Sequence, residues 1–146
     1  MNDAHAIAPS RDWPLLGFRL LLAVLIAAHG WHRLLTHGSP EFGDWLATQG
    51  VPLPYVVARA VTWAEVLGSP CLALGLLVRP WALLFMLIYA CGLVLVHMPD
   101  GWYVVGPGRN GMEYSVLLLG GLALVALRGH APLRLPWRAN GEAGGK

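Results

Sequence analysis

The chain has 146 residues, enough for one domain; 56% of them are hydrophobic and only 12% are charged. A soluble domain usually carries about 25% charged residues, so much of the charge that a water-facing surface needs is missing. The net charge is +2, and the chain has seven tryptophans, a residue type enriched at membrane interfaces. Composition therefore indicates an integral membrane protein in a lipid bilayer and gives no case for nucleic-acid binding.

Four apolar stretches are separated by turn-forming residues. They cover about residues 13–35, 54–78, 81–98 and 112–127. At about 1.5 Å per residue the first three can cross a hydrocarbon core of roughly 30 Å, whereas the fourth reaches only about 24 Å. Arg79-Pro80 is the predicted break between the second and third stretches. We predict an all-α membrane protein: a bundle of four transmembrane helices spanning residues 13–128.

The basic residues predict the orientation of this bundle. Four spans place both termini on one side, which receives most of the Lys and Arg: Arg11, Arg79, Arg128, Arg134, Arg138 and Lys146. Because Lys and Arg concentrate in cytoplasmic segments, we predict that both termini are cytoplasmic. Residues 1–12 would form a short N-terminal segment, and residues 129–146 a basic, partly disordered tail.

The first outer loop has the signals of a short helix. Ser39 is a good N-cap, Pro40 suits the first helical position and Gly50 suits the stop. The apolar residues between them share one face: Phe42, Trp45 and Leu46. We predict a short interfacial helix over about residues 40–49. For the second outer loop, residues 99–111, a small hairpin and a lid both remain open.

Ionisable residues inside the spans are costly and usually face the bundle interior or a wet cavity. Every span contributes such groups to the outer half: His29, His32 and Arg33, then Arg59 and Glu65, then His97, then Glu113. His32 points about 300° around the helix from His29 and is left out of the site. The inner half has one comparable group, Arg19, which is expected to extend to the inner head groups. This asymmetry predicts a polar pocket that opens outward with Glu65 at its floor.

Each of these residues also has a structural interpretation. Arg33 and Arg59 can extend to the outer head groups, and Glu113 can form a capping box with Asn110. Glu65, about 16 Å deep, must be protonated, paired with a cation or functional. We predict that it is ionised and paired with Arg33 or Arg59, with Arg33 preferred and His29 completing the network. Small residues, among them Gly68, Gly92, Gly120 and Gly121, predict close helix packing.

Five segments in chain order resemble the DoxX family of small membrane proteins. HGWHR at residues 29–33 is similar to the family's "hGxxK" element, with Arg33 where the family often has Lys. The other four are GVPLP at 50–54, Glu65 with Gly68 and GLLVR at 75–79, HMPDGW at 97–102, and GMEY at 111–114. The resemblance extends from about residue 19 to 128. It implies a four-helix multi-pass protein of the bacterial cytoplasmic (inner) membrane.

The resemblance also suggests function. Some family members are named as quinol-oxidising subunits or are associated with thiosulfate:quinone oxidoreductases, and others are linked to complexes that handle thiols and oxidative stress. The first hypothesis is therefore a quinone-reactive oxidoreductase subunit with Glu65, His29 and His97 as catalytic residues. The ligand-binding residues would be Arg33, Arg59, Trp63, Trp102, Glu113 and Tyr114. The sequence has no haem, flavin or iron–sulfur motif, so a partner subunit in the membrane or periplasm would supply the electron acceptor.

Two other hypotheses remain open. One is a non-catalytic membrane subunit that anchors a larger complex, with buried charges that only set the helix register. The other is haem or metal binding by a mixed set of His and carboxylate ligands: His29, Glu65, His97 and Glu113. The chain lacks the Glu-x-x-His pairs of di-iron bundles, and no metal ligand is assigned.

The topology can be tested with reporter fusions. We expect a reporter after Lys146, and one near Arg79, to be cytoplasmic, whereas one near Gly43 should lie outside, because the basic segments stay in the cytoplasm. Accessibility to a membrane-impermeant label in intact cells measures this. Labelling at Lys146 without labelling at Gly43 would contradict the predicted orientation.

Overall fold

The computed structural model of the protein describes residues 12–106 and 110–128, and within them all regular structure is helical. The helices are α1 (Trp13–Leu35), α2 (Ser39–Thr48), α3 (Pro54–Leu74), α4 (Val78–Gly92) and α5 (Glu113–Arg128). A π-helical turn, Leu93–His97, and a 3₁₀ turn, Met98–Asp100, continue α4. The predicted N-terminal segment up to residue 11, Arg109 and the predicted tail from residue 129 lie outside the described residues.

Three helical segments are long and apolar enough to cross a membrane: Trp13–Leu35, Pro54–Leu74 and Val78–Asp100. These confirm the predicted all-helical membrane protein, and α1 has the predicted bounds. The fourth predicted span corresponds to α5, whose 16 residues reach about 24 Å. Its crossing of the bilayer and the cytoplasmic position of the termini remain predictions.

The turn between α3 and α4 lies earlier than predicted. α3 ends at Leu74, Gly75 adopts φ +81° and Leu77 φ +48°, and α4 begins at Val78. Arg79-Pro80 is therefore not the break, since it lies in the first turn of α4. Proline is tolerated there because the backbone N–H groups of the first turn have no partner within the helix, so the N–H that proline lacks is not needed. The left-handed Gly75 ends α3 in the usual way for a helix C-terminus.

The predicted interfacial helix is present as α2, but Ser39 is not its N-cap. The cap is Gly38, and the Ser39 hydroxyl lies 3.3 Å from the Thr62 hydroxyl of α3. The Ser39 hydroxyl therefore contacts a neighbouring helix instead of capping its own helix. Leu46 is buried, and the Phe42 and Trp45 rings stack with centroids 6.1 Å apart. The predicted apolar face of α2 therefore lies on the bundle.

The helices pack as neighbours in two groups: α1 and α2 lie against α3, and α4 lies along α5. The fully buried apolar side chains concentrate in the half of the bundle away from α2: Ile26, Leu72, Phe85, Leu122 and Val125. Arg19 also lies there, is 2% exposed and donates to the Ala73 carbonyl at 3.3 Å. Its predicted extension to the head groups is wrong, because it instead serves a carbonyl in the last turn of α3.

Of the glycines predicted to pack between helices, Gly68 and Gly121 lie close to neighbouring helices, whereas Gly75 caps the end of α3. A Cβ at Gly68 would collide with the Trp81 ring, and one at Gly121 would lie 2.8 Å from Phe18. Gly92 and Gly120 face open space. α1 approaches α3 closely at Gly30, where a Cβ would lie 2.7 Å from Glu65 Cβ and 3.0 Å from the Val66 nitrogen. This approach brings α1 directly onto the buried carboxylate.

Gly30 and Gly17 form a matched pair for testing this packing. Gly30→Ala should destabilise the protein by about 1–3 kcal/mol, because the added methyl group meets backbone that cannot move aside. Gly17→Ala, on the same helix with nothing within 4 Å of the added carbon, should cause no loss. Thermal unfolding in detergent measures both variants. Equal midpoints for the two variants would contradict the close α1–α3 approach.

Candidate functional site

The centre of the site is an ion pair between α1 and α3. An Arg33 guanidinium nitrogen donates to Glu65 Oε2; the Glu65 side chain is 2% exposed and that of Arg33 20%. This is the pairing that the sequence predicts. Removing an unpaired carboxylate from water costs several kcal/mol, and a permanently charged guanidinium offsets that cost.

Tyr89 on α4 is the second partner of the carboxylate. Its hydroxyl donates to Glu65 Oε1 at 3.0 Å, so each carboxylate oxygen has a donor. Sequence reasoning missed this residue. The depth calculation that was applied to Glu65 would have found Tyr89. Glu65 lies about 16 Å from the start of α3, and Tyr89 lies about 16 Å from the start of α4. Because the two helices are antiparallel, both residues lie near the middle of the bundle.

The other side of the ion pair is covered by α2. The Arg33 guanidinium carbon lies 4.7 Å from the centroid of the Phe42 ring. A cation over an aromatic face gains about 0.5–2 kcal/mol, more where water is excluded. Tyr55 also secures α2 to α3, because its hydroxyl donates to Asp44 at 2.6 Å. Arg33 thus links the buried carboxylate to α2.

A groove of about 410 Å³ runs between α1 and α5 beside this ion pair. Its apolar wall is formed by Phe18, Leu21, Leu22, Leu25, Ile26, Leu117 and Leu118. Its polar lining comes from His29, Tyr89, His97, Tyr114 and Ser115. Because His97 ends the π-helical turn and Tyr114 lies in the first turn of α5, polar groups gather at one end of the groove and apolar groups line the rest.

Tyr89 connects the groove to the ion pair. Its ring lines the groove while its hydroxyl reaches Glu65, and the His29 ring lies edge-on to it with centroids 6.1 Å apart. Glu65 itself does not line the groove. The predicted pocket with Glu65 at its floor is therefore corrected: Tyr89, and not Glu65, lines the groove, and the His29 ring lies against Tyr89.

Hydrogen bonds tie the described part of the loop before α5 to the start of that helix. Met112 N donates to the Gly101 carbonyl at 3.0 Å, and Glu113 N donates to the Trp102 carbonyl at 3.2 Å. The Glu113 carboxylate accepts from Val104 N at 3.3 Å, and His97 Nδ1 lies 2.8 Å from the Asn110 carbonyl oxygen. Of the two structures left open for this loop, the described part contains no strand hairpin.

Six of the nine predicted site residues do not line the groove. Glu65 and Arg33 form the ion pair, and the other four belong to neither feature: Arg59, Trp63, Trp102 and Glu113. Trp63 precedes Glu65 by two residues, so it points about 200° away from Glu65 around the axis of α3 and is 50% exposed. Arg59 points about 240° away from Glu65 and is also exposed. Trp102 is also half exposed, and Glu113 serves the loop backbone. Tyr114 does line the groove, as do His29 and His97.

The alternative metal or haem site gains no support from this geometry. Within residues 12–106 and 110–128, no three His, Cys, Asp or Glu side chains converge as metal ligands. In particular, two of the four predicted ligands have other partners, since Glu65 is bonded by Arg33 and Tyr89 while Glu113 accepts from Val104 N. Glu65 and Glu113 are thus committed to other partners.

A double-mutant cycle tests the coupling of the ion pair. Arg33→Met should cost about 3–5 kcal/mol of unfolding free energy, because it strands a buried carboxylate, whereas Arg33→Met with Glu65→Gln should cost much less. Unfolding in mixed micelles measures the four proteins. Arg59→Met is the matched control and should cost under about 1 kcal/mol, since Arg59 is exposed. Additive single effects would contradict a coupled pair.

Comparison with known proteins agrees with the resemblance noted above. No protein of curated function and no solved structure matches the chain significantly. The family model described as DoxX matches residues 14–98, which run from the second residue of α1 through α4 and the π-helical turn and make up more than half of the chain. The match covers more than half of the chain in one continuous segment, which contains Arg33, Glu65 and Tyr89. The chain therefore belongs to the DoxX family.

Proposed function

We propose that this protein is the quinone-binding membrane subunit of a bacterial redox complex. The observation that supports this most is the groove itself, whose apolar wall along α1 ends in hydroxyl and imidazole groups. An isoprenoid quinone has the same division, with an apolar tail and a polar ring. Ligand sites of this kind combine apolar walls with a few placed polar groups.

In this proposal the ring lies among His29, Tyr89 and His97, and the tail follows Phe18 and Leu25. Tyr89 links the ring to Glu65, whose carboxylate is held by Arg33, so a polar path leads from the groove into the bundle. Quinone chemistry also needs an electron acceptor or donor, which we assign to a partner subunit in the membrane or periplasm. The proposed protein spans the bacterial inner membrane four times, with both termini in the cytoplasm.

A second function is favoured by the way Glu65 is bonded. Both of its oxygens have donors, from two helices other than its own, as a structural lock of the helix register would require. In that case the protein would be a non-catalytic subunit that anchors a larger complex. Quinone binding separates the two functions, since an anchoring role needs an intact ion pair but no occupied groove.

Binding of a decyl-substituted benzoquinone to the protein in lipid nanodiscs tests the proposal. Leu25→Trp should weaken binding about tenfold or more, because the indole would fill the groove, and a tenfold change equals about 1.4 kcal/mol. Val24→Trp is the matched control: the neighbouring residue is 65% exposed and does not line the groove, so binding should be unchanged. Calorimetric titration against empty nanodiscs corrects for partition into lipid.

The outcomes distinguish the functions. Equal binding by all three proteins would place the quinone outside the groove. No binding to the wild-type protein beyond that to empty nanodiscs would reject the quinone function and favour the anchoring one.

A further inference from the structure

The segment that follows the π-helical turn exposes large apolar side chains. They are Met98, Trp102, Tyr103 and Val105, and the last of these is 74% exposed. Water-facing turns are built mainly from Gly, Pro, Asn, Asp and Ser. Exposed apolar side chains that follow each other this closely mark a surface that contacts something other than water.

The backbone of the same segment is bonded to the start of α5. The Gly101 carbonyl accepts from Met112 N at 3.0 Å, and the Trp102 carbonyl accepts from Glu113 N at 3.2 Å. Val104 N donates to the Glu113 carboxylate at 3.3 Å. Backbone groups without a partner are costly outside water, so a segment enters an apolar phase only with its N–H and C=O groups bonded. This segment has such bonds at residues 101, 102 and 104, while its apolar side chains stay on the outside.

The segment lies where a membrane-spanning stretch ends. Residues Val78–Asp100 are long and apolar enough to cross a bilayer, and α5 begins at Glu113. Val94 and Met98, near the end of that stretch, are both exposed, so the apolar surface of the span continues into the segment. Trp and Tyr are enriched at this level of membrane proteins, because each combines an apolar ring with a polar N–H or O–H. Lipid is therefore the apolar phase that the segment meets.

α2 shows that exposed apolar side chains are not general at this end of the bundle. α2 joins α1 to α3, and because successive long helices are antiparallel, it lies at the same end as the connection between α4 and α5. Its exposed side chains are mainly polar: Glu41, Asp44, Thr48 and Gln49. One connection thus has a polar exposed surface, whereas the other exposes aromatic rings and a valine.

We propose that residues 102–105 anchor this end of the bundle in the membrane, with the side chains of Trp102, Tyr103 and Val105 in the head-group region of the bilayer that the helices span. The segment then lies on the lipid instead of extending into water. His97 and Tyr114 flank the segment and line the groove, so the anchor places that end of the groove at the level of the head groups. The inference is independent of the proposed function, and it applies equally to a non-catalytic subunit.

Nitroxide labels measure the depth of the segment. Val105→Cys and the control Thr48→Cys are each combined with Cys71→Ala and Cys91→Ala and reconstituted into phosphatidylcholine vesicles. Oxygen dissolves in lipid and a nickel chelate in water, so the ratio of their collision rates with the label should be several-fold higher at position 105 than at position 48. Both native side chains are exposed, so neither change disturbs the packing. Equal ratios would overturn the anchor and leave the segment as a surface for a protein partner.

Trp102 gives a second measurement without added labels. Its share of the fluorescence is the difference between the wild-type protein and Trp102→Phe, and lipids brominated near the head group should quench it more than lipids brominated at the chain ends. Trp63→Phe is the control: Trp63 is exposed on α3 about 13 Å from the helix start, so chain-end bromine should quench its share more. Quenching of the Trp102 share by neither lipid, or more by the chain-end lipid, would overturn the inference.

Discussion

The packing of the bundle depends on a single buried carboxylate near its middle. Glu65 is almost fully buried in α3, where an unpaired charge would cost several kcal/mol. Arg33 supplies the opposite charge from α1, and Tyr89 supplies a hydrogen bond from α4. Gly30 lets α1 approach closely enough for the pair to form. One buried charge therefore determines how three helices are placed against each other.

The ion pair also explains why the two halves of the bundle differ. On the side away from α2, apolar side chains such as Phe85 and Leu122 close the core completely. On the α2 side, Arg33 requires cover, which the Phe42 ring provides. Tyr89 is directed to Glu65 with its ring towards α1 and α5, and the space beside that ring stays open as the groove. Tyr89 thus belongs both to the hydrogen-bonded ion pair and to the proposed ligand site.

Sharing Tyr89 has a chemical consequence for the groove. The Tyr89 hydroxyl is committed to the Glu65 carboxylate, and the same residue lines the groove. A change at Tyr89 would therefore alter both the hydrogen bond that holds α4 to α3 and the wall of the groove. Variants at this position need a measurement of stability as well as one of ligand binding.

The sequence by itself determined the helical elements and the pairing of the buried charge. α1 was predictable to the residue because apolar length is a property of the chain alone, and Arg33 was identified as the partner of Glu65 because depth follows from the rise per residue. Only the tertiary structure decided the role of Tyr89, the exclusion of Trp63 and Glu113, and the existence of the groove. These depend on how each helix is rotated about its axis, and side-chain packing between helices sets that rotation. The depth of a residue depends only on its position along its own helix, whereas the direction in which its side chain points depends on the packing of the whole bundle.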